Sequence, residues 1–141
     1  MTTYPVFLSH SWAEQDGTER ITSLMETYRL KTEGFGYEYY SVSKDDPVQF
    51  LPSKKALTAA IETQMRSCSC LVVLAGVFEE FKRWISLELD AAKKLDIPVI
   101  LVEAVNSKHT SHKERRAAAE IVKWDAIQLG DAIVRHAKIK K

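Results

Sequence analysis

Apolar residues return along this chain in two rhythms, short unbroken runs and longer stretches where they recur every third or fourth position. "PVFLS" (5–9) is a nearly continuous apolar run ending in polar residues, which predicts a strand buried on both faces. Ile21, Leu24, Met25 and Tyr28 then repeat at helical spacing. Asp16 or Thr18 can cap the start of that helix, and Gly34 with Gly36 can end it. "YEYYSVS" (37–43) is aromatic and β-prone, a second strand. "KDDPVQFLPS" (44–53), with two prolines and an acidic pair, predicts an exposed loop, long for an α/β protein and hence a candidate functional loop.

Leu57, Ala60, Ile61 and Met65 carry the next amphipathic helix, and "CLVVLAG" (70–76) is a third strand, central by its unbroken hydrophobicity. A helix through "RWISLELDAAKKL" leads to a fourth strand, "IPVILVEA" (97–104). "NSKHTSHKE" reads as a polar loop, "RRAAAEIV" (115–122) as helical and "VKW" as a brief fifth strand. Asp125 can then cap a last helix bearing Ile127, Ile133 and Val134. Alternating strands and helices imply an α/β fold: a flavodoxin-like, doubly wound parallel sheet of five strands in the order 2-1-3-4-5, helices on both faces, in one domain over residues 1–141. Such sheets bind ligands beyond the carboxyl ends of their strands, where the strand order reverses. Ser9, His10, Ser11 and Trp12 after strand 1, the 44–53 loop, Ala75 and Gly76 after strand 3 and the upper part of the following helix would gather there.

That helix breaks its own pattern. At about 100° per residue, Trp84, Ile85, Leu89, Ala91, Ala92 and Leu95 form one apolar arc, with Ser86, Asp90, Lys93 and Lys94 opposite. Glu88 projects near the middle of the apolar arc, between Leu95 and Ala92. A carboxylate there is desolvated unless something beside it is open, so Glu88 is the candidate for chemistry.

Composition narrows the classes. Twenty Lys and Arg against nineteen Asp and Glu give a net charge of +1, so nothing draws the chain to nucleic acid or to an anionic membrane. The start lacks a signal-like segment and no run of about eighteen apolar residues exists, so a cytoplasmic protein is expected. Cys68 and Cys70, one residue apart at the head of an apolar run, read as buried thiols. A phosphoacceptor site would need acids after strands 1 and 3, where Ser-His-Ser and Ala-Gly stand, and the five glycines fit no phosphate-binding loop. His109 and His112 have no further metal ligands nearby in sequence, so no metal is expected.

A single carboxylate in a half-apolar crevice suits cleavage of an N-ribosyl bond to a leaving group that is already cationic. The nicotinamide of NAD departs without a general acid, and a carboxylate can steady the oxocarbenium-like sugar and accept from its hydroxyls. NAD would be substrate, with no cofactor. Trp84 or Trp12 could stack on the nicotinamide, core packing being the other reading of Trp84.

"PVFLSHSW", "SVSKDDP", "SCSCLVVLAG" and "RWISLELDAAKKLDIPVILV", in this order and spacing, resemble a TIR domain, in particular the TIR-like branch of bacterial Thoeris (ThsB-type) antiphage defence. The likeness runs from residue 4 to about 104, with "VKWDAIQLGDAIVRHA" similar to that branch's closing segment. Trp84 followed four residues later by Glu88 is its most specific piece. The resemblance implies Glu88 as catalytic acid, Ser9, His10 and Ser11 lining the ribose and nicotinamide pocket, and Asp45, Asp46 and Pro47 in a loop that contacts a neighbouring copy. It also implies a homo-oligomer and a cyclic or otherwise modified ADP-ribose product that activates a separate effector protein. Two alternatives stand beside it. One is a non-catalytic adaptor in which Glu88 is a structural acid bonded to backbone donors or to Arg83; the other is an enzyme resembling nucleoside deoxyribosyltransferases.

Overall fold

Each apolar run becomes a strand because its alternate residues serve two different cores. In the computed structural model, which describes residues 2–12, 17–41, 53–76, 82–103 and 111–138, five strands form one sheet in the order β2-β1-β3-β4-β5. They are β1 (Thr2–Leu8), β2 (Phe35–Tyr40), β3 (Cys70–Leu74), β4 (Val99–Glu103) and β5 (Ala118–Lys123), and every neighbouring pair is parallel. The helices are α1 (Gly17–Lys31), α2 (Lys54–Met65), α3 (Lys82–Lys94), α4 (His112–Ala117) and α5 (Ala126–His136), with a short 3-10 turn at His10–Trp12. This is the flavodoxin-like order expected from the alternation of elements.

Side chains that alternate across the pleat divide cleanly. Phe7, Leu71, Val73, Val99 and Leu101 face a core completed by Leu57, Ile61 and Met65 of α2 and by Ile85, Leu89 and Ala92 of α3. Val6, Leu8, Val72, Ile100 and Val102 face the other core, with Ile21, Met25 and Tyr28 of α1 and Leu129, Ala132 and Ile133 of α5. Both thiols are free and buried, and burial pushes the Cys70 thiol up to about 12.

Local differences from the sequence reading have physical causes. Gly34 holds a left-handed φ of 86° and turns the chain out of α1, but Gly36 lies inside β2, which starts at Phe35. "RRAAAEIV" is split: α4 ends at Ala117, and Ala118 already pairs with Val99. Alanine's helix preference, worth tenths of a kcal/mol per residue, yields here to backbone pairing with β4. In α5 Ile133 is buried as expected, whereas Ile127 and Val134 are exposed and Leu129 and Ala132 take the packing positions. Asp16 and most of the 44–53 loop lie outside the described residues.

Candidate active site

The α3 helix joins two adjacent parallel strands, so it runs antiparallel to them. Side chains on a helix lean toward its N-terminus, so those of α3 lean toward the carboxyl edge of the sheet. Glu88 is fully buried, and Ser9, the first residue past β1, donates its hydroxyl proton to Glu88 Oε1 at 2.7 Å. The pair comes from residues 79 apart in sequence. Arg83, one cation considered for a structural salt link, is exposed.

The turn that carries Ser9 is fastened to β3. Ser9 N and the indole Nε1 of Trp12 both donate to the carbonyl of Val72, at 3.0 and 3.1 Å. Leu74 N donates to Ser11 Oγ at 3.0 Å, and Ser11 N donates to Ser9 Oγ at 3.1 Å. Ser9 therefore accepts from a backbone amide and spends its only proton on the carboxylate, which fixes its rotamer. A carboxylate offers about four lone-pair sites, and the Ser9 hydroxyl takes one of them.

Of the residues singled out from sequence, Ser9 and Glu88 are brought together. Ser11 is 4% exposed, and its hydroxyl secures β3. Trp12 is buried in the core on the opposite face of the sheet, its ring 6.0 Å from that of Trp124, over which the Arg20 guanidinium lies at 5.1 Å. Trp84, one turn before Glu88, is partly buried against the same core as α3. The backbone of His10 belongs to the 3-10 turn, while its side chain, like Asp45, Asp46 and Pro47, lies outside the described residues.

Two further acids went unnoticed in sequence. Glu62 of α2 is 7% exposed and ion-paired with Lys94 of α3 at 2.8 Å. Glu114 is fully buried; its Oε1 accepts from the amide and hydroxyl of Ser111, the N-cap of α4, while Oε2 has no hydrogen-bond partner among the described residues. Burial raises the Glu114 carboxyl above its usual range, opposed by those Ser111 bonds. The Ser-x-x-Glu spacing of a capping box was the available signal. Among the described residues no group of His, Cys, Asp and Glu is arranged to hold a metal ion, and no helix is long and apolar enough to cross a membrane.

What such an arrangement can do is hold one carboxylate, oriented by a hydroxyl, at the ligand-binding edge of a parallel sheet. A comparison with curated proteins returns no match. Sixteen chains of solved structures match, among them diflavin flavoprotein A3 from Nostoc sp., at 12% identity and a TM-score of 0.47, covering 96% of this chain and 95% of that one. The family described as "Thoeris protein ThsB, TIR-like domain" matches residues 7–109, a span that runs from β1 through Ser9 and Glu88 to beyond β4, and the chain belongs to that family of antiphage defence proteins.

Proposed function

We propose that this TIR-like domain cleaves the bond between the ribose and nicotinamide of NAD and produces a cyclic or otherwise modified ADP-ribose that signals infection to a separate effector. The observation that carries this reading is Glu88, an acid held by Ser9 in an apolar core at the carboxyl edge of the sheet. The C1′–N bond breaks with its electron pair leaving on nicotinamide, which becomes neutral. Glu88 offsets the positive charge left on the sugar, more strongly in a low dielectric than in water. Water closes the reaction by hydrolysis, or a hydroxyl of the same molecule closes it by cyclisation, each losing one proton. Because Glu88 is fully buried and bonded to Ser9, the ribose hydroxyls must take the place of the Ser9 hydroxyl or join it on the carboxylate.

The test is mass spectrometry of nucleotides after incubation with NAD, alone, under crowding and with phage-infected extract, for wild type and Glu88→Gln. Nicotinamide release that falls at least about a hundredfold in a folded Glu88→Gln protein is expected, the scale on which a lost transition-state charge contact acts. No nicotinamide under any of the three conditions overturns the reading.

Complete burial of Glu88 also favours a second reading, an adaptor in which the Ser9–Glu88 bond only fixes the first turn. Defence that survives Glu88→Gln but is lost when Asp46 or Phe50 is replaced selects the adaptor.

A further inference from the structure

A concavity lies toward the end of the sheet opposite its carboxyl edge. Between α3, α4 and the start of β4 is a groove of about 570 Å³, within the range of small-molecule sites. Its floor is made by Leu89, Ile97 and Val99, side chains of the α3-side core that are themselves almost wholly covered. The rim carries Lys93 and Arg116, both exposed and neither ion-paired among the described residues. At the mouth, Asp90 of α3 and Lys113 of α4 form an ion pair at 3.3 Å across the two helices.

Each part selects something different in a ligand. Two cations without an ion pair among the described residues call for an anion, and the fork of Arg116 matches the oxygens of a phosphate. The small apolar floor calls for a flat ring. Asp90, an acceptor beside the cations, repels a polyacidic segment and suits a donor such as a sugar hydroxyl. We propose that this groove binds a nucleoside monophosphate, the phosphate between Lys93 and Arg116, the base on Leu89, Ile97 and Val99, and the sugar toward Asp90. The site is separate from Glu88 and does not rest on the activity proposed for that residue.

Titrating the ¹⁵N-labelled chain with adenosine 5′-monophosphate tests this, with adenosine and inorganic phosphate as parallel probes. Saturable amide shifts are expected at residues 89–93, at Ile97 and Val99, and at residues 113–117, with adenosine and phosphate each at least about tenfold weaker than the nucleotide. Lys93→Glu with Arg116→Glu should weaken nucleotide binding by about tenfold or more, while Glu88→Gln binds as wild type does. Lys93→Gln with Arg116→Gln supplies the same test should the reversed charges disturb folding. The proposal is overturned by the absence of saturable shifts at millimolar nucleotide. It is equally overturned by affinity unchanged in the charge-altered proteins, lost in Glu88→Gln, or matched by phosphate alone.

Discussion

Taking a carboxylate out of water is costly, and at Glu88 part of that cost is met by one short hydroxyl bond from Ser9. Ser9→Ala would remove that donor and leave the acid in place. Urea unfolding should show a loss of about 1–3 kcal/mol, the range for stranding a buried polar partner; unchanged stability would mean that Ser9 contributes nothing to holding the acid. Glu114 offers a pH test. Its folded pKa is raised by burial, so the unfolded chain releases this proton first as pH rises, and the stability Glu114 contributes below its unfolded pKa is lost as pH passes through the folded value. Glu114→Gln keeps a capping-box side chain and removes the ionisation. The variant should melt higher than wild type at neutral pH, and the gap should close in acid below the unfolded carboxyl range. At Cys70, with its thiol pushed up to about 12, a thiol reagent at about pH 8 should find almost no thiolate in the native protein, and full reaction only in denaturant.

Helices in this fold are positioned by what they must let pass. α5 approaches α1 at Gly130, where an added Cβ would lie 2.1 Å from the ring of Tyr28. That ring is pinned by a hydroxyl bond to Asp131 at 2.7 Å and an edge contact with Phe35 at 4.8 Å, so it has little room to yield. Gly130→Ala should therefore destabilise by about 1–3 kcal/mol through overpacking, seen as a lower melting temperature. At this scale the sequence was legible wherever one periodicity dominated. The arc of α3 showed both the buried face and its anomalous acid. It was illegible at residues 115–123, where a helix-favouring alanine run is recruited as an edge strand by a neighbour that local periodicity does not reveal. Ser9 read as a polar residue at the switch point, but its bond to Glu88 depends on the crossing of two segments 79 residues apart.

Across the whole molecule, element alternation and handedness left few strand orders, among them the observed one, whereas the division of labour between the two faces was not legible. Central strands β1, β3 and β4 have a strand on each side, β2 and β5 on one side only. Hydrogen exchange should be slowest at Phe7, Val72 and Leu101 and measurably faster at Tyr39 and Ile121; uniform protection across the sheet would contradict that ordering. The two faces also separate the tryptophans. Trp12 and Trp124 neighbour each other against the α1–α5 core, while Trp84 stands with α3, one turn from Glu88. Replacing the first pair with phenylalanine would leave Trp84 as the lone tryptophan, one turn from Glu88, so its emission on selective excitation would report changes around that acid in unlabelled protein.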